Sequence, residues 1–222
     1  MLRCALFDLD NTLYPKSSGL MSEIGRRMNV YMSERLGIPE DKVRGIRDSL
    51  LASYGTTLNG LRRRYEIDPD DFLSFVHDIR MEQFINRDES LDQMLEALHL
   101  RKIVFTNADA RHARRVLSRL GVLRRFEAII DIHFIEFCNK PDPRAYRVAL
   151  EFAGVLPEEC VLLEDYPANI RTARAMGITT VLVGDGGKDG ENAADVADYI
   201  IDNVVEFADL PIIKNLSRLE LR

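Results

Sequence analysis

Six short apolar runs constrain the fold of this chain more than any other feature. They lie at residues 4–9 (CALFDL), 102–106 (KIVFT), 128–132 (AIIDI), 160–163 (CVLL), 180–183 (TVLV) and 199–201 (YII). Their length and β-branched content, with polar or turn residues on either side, suit strands of a parallel sheet buried on both faces. Helical patterns fill residues 110–120, 143–152 and 167–176, and Gly121, Gly154 and Gly177 stand after them as C-caps. This alternation predicts a doubly wound α/β domain, in which ligands bind beyond the carboxyl ends of the strands.

The rhythm breaks once. From residue 15 to about 90 no convincing strand occurs, whereas a crossover helix needs far fewer residues. That stretch reads as helices over residues 19–36, 41–54 and 70–84, with Ser17, Ser18, Asp41 and Asp70 as N-cap or first-turn residues and with Gly55 and Gly60 marking a turn. The expected organisation is an α/β core formed by residues 1–14 and 91–222, with a helical domain, residues 15–90, inserted over the end of the first strand. A chain of 222 residues with 46% hydrophobic and 30% charged residues can bury such a core unaided.

A net charge of −6 argues against a nucleic-acid polymer or an anionic membrane as partner. No apolar run approaches the roughly 20 residues that span a bilayer, and Met1 leads directly into the first strand pattern, without a secretory signal. A soluble, cytoplasmic protein is expected. Cys4, Cys138 and Cys160 form no CxxC pair and read as small side chains in apolar surroundings. His77, His99, His112 and His133 show no zinc-ligand spacing.

The chemistry sits at the ends of the apolar runs. Asp8 and Asp10 close the first, two residues apart on an extended segment, so both carboxylates face one side. Glu164 and Asp165 close the fourth. An apolar strand has no structural reason to carry two acids at its mouth, and two such pairs side by side repel unless a cation joins them. Hard oxygen ligands without His or Cys favour Mg²⁺. Thr106 and Asn107 follow the second run at the start of a helix, a natural phosphate cradle, and Lys140 lies in the turn-rich NKPDP segment, residues 139–143. Carboxylate nucleophile, divalent cation, hydroxyl and lysine together suit phosphoryl transfer.

These segments, DLDNTLY, TNA, NKPDP and ED, occur in the order of the four motifs of the haloacid dehalogenase-like hydrolase superfamily, which the chain resembles from residue 4 to about residue 203. The insert stands where that superfamily carries its type-one helical cap. The resemblance implies a Rossmann-like core and a Mg²⁺-dependent phosphatase. It makes Asp8 the nucleophile that forms an aspartyl-phosphate and Asp10 the general acid and base. Asp8, Asp165 and the Asp10 carbonyl would ligate Mg²⁺ with help from Glu164, while Thr106, Asn107 and Lys140 would bind the phosphoryl oxygens. True dehalogenases of the superfamily lack the second acid of DxD. Asp10 therefore points to a phosphatase.

Within the insert, YGTTLNGL (residues 54–61), together with DLDNTLYP, is similar to the pyrimidine 5′-nucleotidase branch. It implies a nucleoside 5′-monophosphate as the small phosphorylated partner, with Thr56, Asn59 or Arg62 facing it. Arg62, Arg63 and Arg64 also fit a solvated helix face, Tyr54 and Tyr65 fit packing, Thr12 a turn hydrogen bond, and Asn169 a local cap or a partner for Lys140 or the metal. The alternatives are a phosphatase or phosphomutase of a sugar phosphate or phosphoglycolate and, more remotely, a receiver-like phospho-acceptor. Residues 184–190, GDGGKDG, fit neither a dinucleotide, a Walker A nor a calcium loop and read as a surface loop. Oligomeric state is not legible.

Overall fold

The computed structural model describes residues 1–184 and 196–219, so most of the GDGGKDG segment and the last three residues lie outside the described residues. Six strands form one sheet: β1 (Cys4–Phe7), β2 (Arg101–Phe105), β3 (Ala128–Ile130), β4 (Cys160–Glu164), β5 (Thr179–Val183) and β6 (Tyr199–Ile201). Their order is β3-β2-β1-β4-β5-β6, and every pairing is parallel. Each strand corresponds to one apolar run. The central strands β1 and β4 are buried along their whole length, as the unbroken hydrophobic stretches require.

This order places the topological switch point between β1 and β4, where the connections run off in opposite directions and leave a crevice at the carboxyl ends. Phe7 pairs with Val104 on one side and with Leu163 on the other. Asp8 and Glu164, which follow Phe7 and Leu163, therefore emerge side by side, and Thr106 stands just past the end of β2 at Phe105. Below them Phe7 packs edge-on against Phe126 and Phe207, and Phe105 against Tyr146, so the floor of the crevice is stiff aromatic core.

Between β1 and β2 lie α1 (Leu20–Glu34), α2 (Glu40–Tyr54), α3 (Thr57–Tyr65), α4 (Pro69–His77) and α5 (Glu89–Ala97). After β2 come α6 (Ala110–Leu120), α7 (Pro143–Ala153), α8 (Pro167–Ala175) and α9 (Pro211–Leu219). No helix among the described residues is long and apolar enough to cross a membrane.

Two expectations for the insert need correction. Gly55 does end α2, in the left-handed conformation at φ 76°. Gly60, however, is not part of a turn. It sits inside the unforeseen helix α3, where a Cβ would fall 2.6 Å from Leu50 Cβ, and its missing side chain lets α3 lie against α2. The expected helix over residues 70–84 stops at His77. Arg115 donates to the carbonyls of both His77 and Ile79, which draws them out of a continuing helix, and a short 3-10 turn at Met81–Gln83 follows. Asp41 and Asp70 lie in first turns, while Asp68 and Thr56 are the side chains that cap α4 and α3. The three cysteines are free, Cys4 and Cys160 buried opposite one another on β1 and β4 and Cys138 half-buried.

Candidate active site

The sheet brings four strand-end segments together. Asp8 leaves β1 with its N–H donating to the Leu163 carbonyl at 2.9 Å. The loop after β3 delivers Lys140, whose side chain is only 1% exposed and whose ammonium donates to Asp8 Oδ1 at 2.7 Å, Glu164 Oε2 at 2.7 Å and the Phe105 carbonyl at 2.8 Å. Thr12 Oγ1 donates to Asp8 Oδ2 at 3.2 Å, the turn hydrogen bond that its position suggests. Asn169 Nδ2 donates to Glu164 Oε2 at 2.9 Å and so meets the acidic pair rather than Lys140.

Asn107 fixes the Lys140 backbone from both sides, accepting from its N–H and donating to its carbonyl. Thr106 is buried and its hydroxyl accepts from the Ala108 N–H at 3.0 Å, closing the first turn beyond β2. Asn107 thus borders Lys140 directly, and the residue before Thr106, Phe105, offers its carbonyl to the Lys140 ammonium.

Carboxylate oxygens of Asp8, Glu164 and Asp165 lie within 4.8 Å of one another. One lysine faces three acids, and it contacts only two of them. Asp165 has Asn11 Nδ2 at 3.3 Å instead of a cation. Burial, together with repulsion from Glu164, pushes Asp8 up to about 7 although Lys140 pulls it back. Burial and the charges of Glu164 and Asp8 push Asp165 up to about 9. Burial opposes the Lys140 charge, but Asp8 and Glu164 outweigh it and hold the ammonium firmly protonated. A cluster this short of positive charge, made of hard oxygen donors, fits a divalent cation such as Mg²⁺.

The Asp10 side chain does not join that cluster. Its Oδ1 takes the Tyr14 hydroxyl at 2.6 Å and His112 Nε2 at 2.9 Å. Burial pushes Asp10 upward, yet His112 and Tyr14 outweigh it and keep the carboxyl below its ordinary value. His112 stacks on His77, ring centroids 4.1 Å apart, and His77 Nδ1 lies 2.7 Å from Asp109 Oδ2. Sequence reasoning missed this group. Tyr14 was in view within DLDNTLY, but the two histidines are 35 positions apart and meet only because α4 of the insert lies over the start of α6.

The three residues expected to face substrate stand at α3, which meets the loop that leads to Lys140. Thr56 caps α3 by accepting from the Asn59 N–H. Asn59 is 6% exposed, and its amide donates to the Phe137 carbonyl at 2.7 Å and to Asn139 Oδ1. Arg62 lies over the Phe137 ring at 3.8 Å and lines a cavity of about 450 Å³ with Glu136 and Arg144. The cavity that opens beside Asn11, Thr12 and Asp165 is a different one, of about 1150 Å³. Asn59 thus bonds to the loop that carries Lys140, and Arg62 lies against it.

Comparison with known proteins gives the family and the fold. Residues 2–177 match the model of a family described as haloacid dehalogenase-like hydrolase. The chain is 28% identical over 191 residues to "Phosphate metabolism protein 8" of Saccharomyces cerevisiae, a match covering 79% of this chain and 60% of that protein, less than two thirds of its length. It is 28% identical over 232 residues to a glyceraldehyde 3-phosphate phosphatase of Methanopyrus kandleri, covering 95% of this chain and 97% of the relative. Among solved structures, a HAD phosphatase from Thermococcus onnurineus shares the fold with a TM-score of 0.65 at 20% identity, over 94% of this chain and 97% of that one.

Proposed function

The chain belongs to the haloacid dehalogenase-like hydrolase family, and from that premise we propose that it is a Mg²⁺-dependent phosphomonoester hydrolase acting through an aspartyl-phosphate on Asp8. The observation that carries this reading is the convergence of Asp8, Lys140, Glu164 and Asp165 on one crevice at the switch point of the sheet. Asp8 as nucleophile belongs to a charge-deficient acidic trio with a buried lysine beside it, the set of groups that phosphoryl transfer needs.

Asp8 attacks phosphorus and forms the acyl phosphate while the ester oxygen leaves. Asp10, two residues on, gives that oxygen a proton and later takes one from the water that opens the intermediate. Lys140, Thr106 and the backbone at Asn107 hold the phosphoryl oxygens and offset the charge that builds on them. Asp8, Asp165, the Asp10 carbonyl and, more remotely, Glu164 would hold Mg²⁺, which when bound neutralises phosphoryl charge and orients the group. The Asp10 carboxylate separates this site from a dehalogenase, whose reaction has no leaving alcohol to protonate.

The substrate class is a small phosphorylated metabolite. The YGTTLNGL segment suggests a nucleoside 5′-monophosphate, and the name of the Methanopyrus relative suggests a triose phosphate. Phosphate release from UMP, CMP, AMP, phosphoglycolate, glyceraldehyde 3-phosphate and hexose phosphates, with Mg²⁺ and with EDTA, tests both levels. Release that EDTA abolishes supports the chemistry, and the preferred ester fixes the class. No release from any ester overturns the hydrolase, and product that appears from a hexose phosphate only with a bisphosphorylated activator marks a phosphomutase.

A further inference from the structure

His112 is fully buried, yet its ring is used as a polar group. Nε2 reaches Asp10 Oδ1 at 2.9 Å, and Tyr14 donates to the same oxygen at 2.6 Å. Among the described residues no hydrogen bond reaches Asp10 Oδ2. One oxygen is therefore held twice and the other is left free.

The His112 ring is itself held. One face stacks on His77, with 19° between the planes. His77 binds Asp109, and Asp109 Oδ1 accepts from the His112 N–H as the N-cap of α6. Ring, backbone and neighbour form a closed circuit between α4 of the insert and the start of α6. Packing alone does not require it, because an apolar side chain would fill the space without leaving His112 Nδ1 buried and unpartnered. A buried nitrogen without a partner costs stability, and the orientation of Asp10 is what that cost secures.

We propose that His112 is a positioning residue that, by holding Asp10 Oδ1, aims Asp10 Oδ2 at the water that opens the aspartyl-phosphate. This rests on the reading of Asp8 and Asp10 given above. In that step the water oxygen bonds to phosphorus, and the bond from phosphorus to Asp8 breaks, returning its electron pair to the carboxylate. The proton of the water passes to Oδ2. His112 touches none of the reacting atoms.

The test uses p-nitrophenyl phosphate, whose phenolate leaves without needing a proton, so that Asp10 matters mainly for the second half of the cycle. His112→Phe keeps a ring on His77 but has no donor. The expected result is a fall in kcat of about tenfold or more with kcat/KM held within about twofold. Rapid mixing then shows a burst of p-nitrophenolate approaching one per enzyme, because the phosphoenzyme forms at its usual rate and drains slowly. His112→Gln, whose amide can reach Oδ1, recovers kcat. Equal falls in kcat and kcat/KM, an unchanged kcat, or the absence of a burst overturn the proposal. A wild-type protein that releases no p-nitrophenolate overturns the underlying hydrolase reading, and it does so before any variant is compared. Should His112→Phe fail to fold by circular dichroism, His112→Asn, too short to reach Oδ1, carries the same comparison.

Discussion

The Lys140 ammonium lies 2.7 Å from Asp8 Oδ1 although 132 residues separate the two in the chain. The same ammonium bridges to Glu164, so one buried cation ties the ends of β1 and β4 together across the switch point. A buried charge that loses its partner is costly. Lys140→Met leaves Asp8 and Glu164 facing each other, and we expect it to lower unfolding stability by about 3–5 kcal/mol and to lower kcat by about a hundredfold or more. Denaturant unfolding followed by circular dichroism, with phosphate release on the same preparation, checks both. A variant of wild-type stability would remove Lys140 from this bridge.

Asp8→Asn separates chemistry from structure. The amide keeps the shape of the carboxylate, and Lys140 still has Glu164. The fold should survive while turnover falls on the order of 10⁴-fold or more, as the loss of a nucleophile demands. Circular dichroism and a phosphate-release assay decide the matter, and substantial turnover in a folded Asp8→Asn protein would falsify the nucleophile assignment.

The pH dependence of the cation-free protein has a definite sign. Asp8 and Asp165 are pushed up in the fold, to about 7 and about 9. Between the ordinary carboxylate range and those values the folded state holds more protons than the unfolded chain, so their contribution to stability falls as pH rises from about 4 to about 9. A divalent cation takes over the role of those protons. The melting temperature should therefore rise with Mg²⁺ more at pH 8.5 than at pH 5.5, and Asp165→Asn should reduce that rise while stabilising the cation-free protein at the higher pH. An equal Mg²⁺ effect at both pH values would place the cation elsewhere.

The fold was legible because the strands are buried on both faces, which forces unbroken apolar runs, and the acids stood out because such runs give them no structural reason to be there. Asp8, Glu164 and Asp165 were readable on that ground, and Lys140 through its NKPDP setting. The contacts of His112 with Asp10 and of Asn59 with Asn139 were not. Each joins the insert or its neighbours to the core across a gap in sequence that has no period, and helix α3 itself was obscured by Gly60, whose role is to let two helices touch. Pattern reports which face of an element is buried. It does not report which polar groups meet once two such faces close.

Asn59 gives the last prediction. Glu136 and Phe137 are consecutive non-glycine residues in the left-handed region, at φ 49° and 61°, an arrangement that costs on the order of 1–3 kcal/mol per residue unless its surroundings impose it. Asn59 imposes it by binding the Phe137 carbonyl and Asn139, with Arg62 over the Phe137 ring. The same loop continues into Lys140. Asn59→Ala should cost about 1–3 kcal/mol of stability and should slow every phosphate ester by a similar factor, because it acts through the Lys140 loop and not on the leaving group. The ratio of rates on UMP and on a triose or hexose phosphate would then stay at its wild-type value. A shifted ratio in a stable Asn59→Ala protein would return Asn59 to the substrate-facing role that the YGTTLNGL segment suggests.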